Sequence, residues 1–438
     1  MHTNINPMKF KLFGIVWLLF MATLASAQKP VPAKPRILIS TDIGGTDPDD
    51  NQSLIHLLMY SEKFKLEGLV SSPSFGEGNK EEILKTIDLY EKDLPKLQKH
   101  QKGLASPQYL RSITKQGKKG AAPFVGYSEA TEGSKWIVEC AKKKDQAPLW
   151  VLVWGGLEDV AQALHDEPSI QHHIRIYWIG GPNKKWSANS YAYIASNFPN
   201  LWLIENNASY YGFFSHSNEP DSVTTSNYYQ QYIKDKSFMG RDFASHYKGE
   251  VKMGDTPTLL YMMDGNPNDP GKESWGGSFT QTNYSPRIIL NETTSLKDTV
   301  AYCAIMEFRF KVPNVKAEKD SIYFWMEVPY GKNVQKWPGY YVGDGVFALR
   351  YIPKKAEVLH YKFSSTIKEL NGKTGAVVVA NLWPGKKNKS DYALGNTWFT
   401  DKPNPELYLG KLQGGKTLSK WRNEVLLDWA KRWAWLNE

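Results

Sequence analysis

Asp42, Asp47, Asp49 and Asp50 fall within nine residues of one another in STDIGGTDPDDNQSL. Carboxylates that close repel one another and are driven to take up protons unless something neutralises them. A hard cation does so: calcium accepts about six to eight oxygens in flexible geometry, whereas magnesium keeps several waters. The chemistry within reach of this cluster is therefore cation binding, with one carboxylate left to accept a proton from water. A plainer role is also open, in which Asp47 or Asp49 caps the helix that NQSLIHLLMY starts.

The string DIGGT also resembles the phosphate turn of actin-like sugar kinases, in which a second strand follows the glycines directly. Here Asp47, Pro48, Asp49 and Asp50 follow, and then Leu54, Leu57 and Leu58 at helical spacing. Phosphate beside those acids is unfavourable without a screening cation. No Walker lysine pattern is present either. The emphasis moves from the glycines to the acids.

The elements that must position them follow a clear order. From Arg36 to about Phe279 apolar runs alternate with helical patterns: ILIS precedes NQSLIHLLMYSEKF, LEGLVSS precedes KEEILKTIDLYEKDLPKL, PLWVLVWGG precedes LEDVAQALH, and IRIYWIGG and NLWLIE come next. Apolar runs of this kind are strands buried on both faces, so an α/β fold with a mostly parallel sheet covered by helices is expected. Sites in such sheets lie at the carboxyl ends of the strands, where the acids after ILIS, the glycines after VLVW and GGPN after IYWI all fall. From Tyr284 onward AIMEFRF, SIYFWMEV, VFALRYI, VLHYKFS and AVVVANLW are separated by turn signals without helical periods, which predicts an inserted β-sandwich. Trp421, Leu426, Trp429, Trp433 and Leu436 then resume helical spacing, as a closing helix packed back on the α/β domain. The expected organisation is residues 36–283 for the α/β domain, 284–414 for the sandwich and 415–438 for the helix.

The N-terminus carries Lys9 and Lys11, an apolar stretch over residues 12–24 and Ala25-Ser26-Ala27, the pattern of a secretory signal over residues 1–27, followed by a short leader over 28–35. Periplasmic or secreted localisation is expected, with no membrane span in the mature chain. The net charge of +9, or +7 without Lys9 and Lys11, is spread over runs such as KQGKKG and PGKKNK, which suits a solvated surface and not a nucleic-acid site. Cys140 and Cys303 fit neither a disulfide framework nor a zinc motif and read as small buried residues.

Taken together, the run from RILISTDIGG through DPDDNQSLIHLLMY, LEGLVSS, IDLYEKDLPKLQKH, ATEGSKWIV and PLWVLVWGGLEDVAQAL resembles the nucleoside-hydrolase-like domain of bacterial cellulose-binding proteins. The likeness covers roughly residues 36–280 plus the final WRNEVLLDWAKRWAWL. It implies that Asp42 ligates calcium and orients or deprotonates the attacking water, that Asp49 contacts sugar hydroxyls, and that Asp50 ligates calcium. By the same resemblance the carbonyl of Trp154 completes the metal shell, and Asn183, Asn189, Glu205 and Asn206 become candidate sugar-hydroxyl contacts, since amides and carboxylates pair well with hydroxyls. The family's last metal ligand is an Asp beside a His; LLYMMDGNPNDPGKESWGGSF holds no His, and Asp264 is the acid nominated there, ahead of Asp269 and Glu273. Three extra residues also separate Asp42 from Asp49, Asp47 is an additional acid, and Ser40 stands where the family usually has another Asp.

The resulting expectation is a metal-assisted hydrolase of an N- or O-glycosidic bond in a furanose-like sugar, with a carbohydrate or nucleoside-like substrate. Its competitor is a non-catalytic polysaccharide-binding protein on the same scaffold, using Trp186, Trp275, Trp337, Tyr340 and Tyr341 as stacking surfaces.

Overall fold

A computed structural model describes residues 1–2, 33–214, 225–234 and 237–437. The predicted signal peptide, apart from Met1 and His2, and most of the leader lie outside the described residues. Residues 34–438 form one unit. It contains two mixed sheets, each of eight strands, with helices packed around them.

In the first sheet β1 (Arg36–Thr41), β2 (Lys65–Ser71), β3 (Thr114–Gln116), β4 (Leu149–Val153), β5 (Ile174–Ile179) and β6 (Trp202–Asn206) are all parallel, in the order β3-β2-β1-β4-β5-β6. The continuous apolar runs explain this, because every residue of β1 and β4 is buried and neither strand could serve a sheet with one wet face. Alternation divides the strand between two cores. Ile37 and Ile39 face the side that holds the Asp49–Met59 helix, and Leu38 faces the side that holds Ile137, Val160 and Ile194.

After β7 (Phe279–Ser285) the chain builds the second sheet from β8 (Arg287–Leu290), β9 (Thr299–Ala301), β10 (Ile305–Lys311), β11 (Ile322–Tyr330), β12 (Asn333–Gly343), β13 (Val346–Tyr351), β14 (Val358–Ser365) and β15 (Thr374–Ala380). It then returns with β16 (Tyr392–Asp401), which pairs with β6 in parallel and with β7 antiparallel in the first sheet. The order of the second sheet is β8-β10-β13-β12-β11-β14-β15-β9, so the expected two-sheet sandwich is corrected to one continuous sheet. Strands β10 and β14 stand four places apart, about 19 Å in a flat sheet. Yet Phe308 and Phe363 approach to 5.3 Å between ring centroids, so the sheet is rolled around its own aromatic face. Local turn signals predict strands but not whether successive strands change sheets.

The Arg422–Trp435 helix places Trp429 and Trp433 in the same core as Ile55 and Leu58. Arg432 pairs with Glu62 at 2.5 Å where both side chains are buried, and Tyr60 donates to Asp428 at 2.7 Å. No helix among the described residues is long and apolar enough to cross a membrane. Both cysteines are free and buried.

Candidate functional site

β1 delivers Asp42 to the carboxyl edge of the first sheet, and the following turn decides what meets it. Gly44 adopts φ +90°, a conformation costly for any other residue, and the Gly45 N–H donates to the Asp42 carbonyl at 3.0 Å. The chain thereby doubles back, so that Asp49 and Asp50 open the Asp49–Met59 helix beside Asp42. The helix is capped at Pro48 with no side-chain hydrogen bond, so neither Asp47 nor Asp49 is a cap. Carboxylates in the first helical turn are favoured by the exposed N–H groups there. The Thr41 hydroxyl donates to the Asp50 carboxylate, which fixes that acid against the strand end.

The residue that completes the cluster is one that the sequence reading missed. Asp255 sits at the N-cap of the Thr256–Asp264 helix, and one carboxylate oxygen each of Asp49, Asp50 and Asp255 lie within 4.8 Å of one another. Trp154 donates its indole N–H to Thr258 at 2.8 Å, tying that helix start to the end of β4. Asp264, nominated in its place, lies at the far end of the same helix, about 13 Å away along the axis. It accepts from the Trp275 N–H at 3.3 Å and lies outside the cavity. GDTP carried the signal: an Asp before Thr-Pro and an apolar run marks a helix start.

Space at the cluster is made by two glycines. A Cβ on Gly155 would stand 2.7 Å from the Asp42 Cβ, and one on Gly254 would stand 2.3 Å from an Asp49 carboxylate oxygen. The acids line a cavity of about 280 Å³ together with Trp154, Asn183, Trp186, Tyr210, Tyr211, Phe214 and Lys252. That volume is at the small end of ligand sites and suits one sugar ring with part of its substituent.

Burial, and next the charge of Asp49, pushes the Asp42 carboxyl up to about 7. Burial first, then neighbouring carboxylates, also pushes Asp49, Asp50 and Asp255 well above the ordinary range. Lys252 answers part of this charge: it pairs closely with Asp47 and stands 3.6 Å from Asp49. Burial would lower its amine, but Asp49 and Asp47 outweigh burial and raise it. The extra acid of the lengthened loop is thus the partner of Lys252. One Asp255 oxygen is buried without any hydrogen-bond partner. An orphaned carboxylate oxygen facing two others in an all-oxygen donor set fits a hard divalent cation.

The other nominated residues divide between wall and scaffold. Asn183 lines the cavity, but its amide N–H groups are spent on the carbonyls of Trp154 (2.7 Å) and Ile179 (3.0 Å), holding the ends of β4 and β5 together. The Trp154 carbonyl keeps a second lone pair. Asn189, Glu205 and Asn206 lie outside the cavity. Asn189 binds the Ala122 carbonyl and Arg350. Glu205 is buried against Lys184 at 2.6 Å and Tyr191 at 2.8 Å. Asn206 accepts from Ser209 and from the Tyr210 N–H, and so acts on the site only by placing Tyr210. Trp337 and Tyr340 are core residues of the rolled sheet and not free stacking surfaces. Trp186 does reach the cavity.

A family model described as "Cellulose-binding Sde182, nucleoside hydrolase-like domain" matches residues 36–279. The chain belongs to this family. Among solved structures, it is similar to a nucleoside hydrolase-related hypothetical protein from Saccharophagus degradans associated with carbohydrate metabolism, at 18% identity over 79% of this chain and 99% of that chain, with a TM-score of 0.48. It is also similar to the inosine-uridine preferring nucleoside hydrolase from Bacillus anthracis, at 16% identity over 58% of this chain and 86% of that one, TM-score 0.37. The purine-preferring ribonucleoside hydrolase from Gardnerella vaginalis is similar at 12% identity over 51% and 81%, TM-score 0.29. No curated protein matches. Asp42, Asp49, Asp50 and Asp255 all lie inside the matched residues.

Proposed function

We propose that the cavity hydrolyses an N- or O-glycosidic bond of a furanose-like sugar with the help of a divalent cation, calcium by its donor set. The observation that carries this reading is the convergence of Asp49, Asp50 and Asp255 within 4.8 Å, with an orphaned Asp255 oxygen and Asp42 alongside. Asp50 and Asp255 would hold the cation with Asp42 and the Trp154 carbonyl. When bound, the cation supplies Lewis acidity and neutralises the carboxylates. Asp42, open to the cavity, accepts the proton of the attacking water at its carboxylate. Asp49 accepts hydrogen bonds from sugar hydroxyls, and its carboxylate charge favours the oxocarbenium character that develops at the anomeric carbon. No histidine lines the cavity among the described residues, and its proton donors are Tyr210, Tyr211, Lys252 and Lys354. An O-linked leaving group is therefore as well served as a nucleobase.

Purified protein is to be screened against nucleosides and aryl furanosides with EGTA and with added calcium. Release of sugar that EGTA abolishes and calcium restores supports the reading; release indifferent to EGTA contradicts it. A second reading, glycan binding without cleavage, draws on the half-exposed rings of Phe75 and Tyr330 at the cavity wall and on the cellulose-binding description of the family. We further infer export to the periplasm or beyond. Fractionation of the full chain and of a chain lacking residues 1–27 tests this, and an intracellular full chain would overturn it.

A further inference from the structure

The acid cavity continues past the acids toward the rolled sheet. On that side its wall passes from Phe75 and Trp186 to Tyr330 at the end of β11, Gln335 in β12 and Lys354 after β13. Phe75, about half exposed, lies 4.5 Å from Trp186 between ring centroids, and Trp186 stacks on the buried Trp337 at 5.0 Å and 18°. Lys185 sits over the Trp337 ring at 4.3 Å and donates to the Gln335 side-chain carbonyl at 3.0 Å, which orients that amide. A second cavity adjoins the first, sharing Ser74, Phe75, Gly76 and Trp186 with it and reaching Asn189 and Lys336.

The wall on the Phe75 side carries lining from both sheets, beyond the acids that would hold the first sugar. The half-exposed rings of Phe75 and Tyr330 and the partly exposed Trp186, with amide and ammonium donors beside them, meet both demands of a pyranose or furanose unit: apolar C–H faces to stack and hydroxyl edges to bind. Exposed rings bordering a polar site mark a ligand surface more than a folding requirement. We propose that the Phe75 and Trp186 wall, completed by Tyr330, Gln335 and Lys354 from the second sheet, is a subsite for a second sugar unit. The ligand is then an oligosaccharide, and the rolled sheet is part of its binding site. This rests on the acid cavity holding a sugar, as proposed above, but not on its cleaving one.

The test is binding and not turnover. Cello-, xylo- and arabino-oligosaccharides of one to four units are titrated calorimetrically into the full-length protein, its Phe75→Ala and Trp186→Ala variants, and with inosine as the nucleoside probe, all at saturating calcium. In at least one series the second unit raises affinity on the order of tenfold, or about 1.4 kcal/mol, and each variant loses most of that rise. Phe75→Ala removes a half-exposed ring and keeps the test informative if Trp186→Ala misfolds. A flat series in all three sugars overturns the proposal, as does a rise that survives Phe75→Ala. Inosine affinity that falls in Phe75→Ala as much as the two-unit glycan's assigns the wall to a nucleobase and also overturns it. Binding as expected without any bond cleavage would sink only the hydrolase reading.

Discussion

Replacing Asp255 by Asn gives opposite effects with and without the cation, and the sign is fixed by geometry. With carboxylate oxygens within 4.8 Å of one another, each pair of charges costs about 3 kcal/mol at an effective dielectric constant of ~20, a ceiling because a carboxyl can take up a proton instead. Unfolding entropy of about 2.1 cal/mol/K per residue makes 1 kcal/mol worth roughly 1 °C in a chain of this length. Asp255→Asn, which keeps shape and removes charge, should therefore raise the Tm of calcium-free protein by about 2–3 °C. Calcium at a hundredfold its Kd stabilises the native wild type by about 2.7 kcal/mol, or ~3 °C, while the variant should gain under a third of that. Differential scanning calorimetry in EGTA and in calcium reads both numbers. A variant less stable than wild type in EGTA, or one with an undiminished calcium response, refutes the assignment of Asp255 to a cation-binding cluster.

Gly155→Ala should cost at least about 100-fold in kcat and about 1–3 kcal/mol of stability, since its methyl would sit 2.7 Å from the Asp42 Cβ and 2.9 Å from the Asp42 backbone nitrogen and must displace that residue; steady-state kinetics on any active substrate and denaturant titration check it. His56, buried among Tyr60, Trp429, Arg432 and Asp428, has its pKa lowered to about 3 by burial and then by Arg432. The unfolded chain, with its histidine near 6.5, therefore binds more protons between pH 6.5 and 3, so stability falls as pH falls through that window. His56→Gln should lose about 2 kcal/mol less than wild type between pH 7 and pH 5, and equal losses by denaturant titration would contradict this. Glu62→Gln leaves the buried Arg432 without its carboxylate and should destabilise by about 3–5 kcal/mol. Protease sensitivity appearing first in the Arg422–Trp435 helix is the accompanying sign.

Much of the first sheet was legible because burial on both faces writes itself as unbroken apolar runs. ILIS, LEGLVSS, LWVLV and IRIYWI are β1, β2, β4 and β5 in register. Asp42, Asp49 and Asp50 were legible because one strand end and one helix start bring them together locally. Asp255 was not, since it reaches them from some two hundred residues along the chain and its own signal says only that a helix begins. Asp264 ends that same helix, and the short apolar run LLYMM before it does not by itself show which of its flanking acids faces the site. Glu205 and Asn206 do stand at a strand end, but Lys184, Tyr191 and Tyr210 already consume their polar atoms. Trp186, nominated as a stacking surface, does line the cavity, whereas Phe75 carries no motif and Tyr330 is brought to the same cavity only by the fold of the second sheet. Trp337 and Tyr340, nominated as stacking surfaces, lie along β12 and turn inward, because spacing alone does not tell which face of a rolled sheet a ring takes.

If Asp42 takes the proton of the attacking water in a cation-assisted cleavage, as proposed, its carboxylate should be indispensable for turnover. The most direct measurement is sugar release by wild type and Asp42→Asn side by side, in calcium, on an aryl furanoside or nucleoside that the wild type cleaves. The expected result is a fall of about 1000-fold in kcat with the Tm held within a few degrees. A variant that keeps its rate within tenfold of wild type contradicts it.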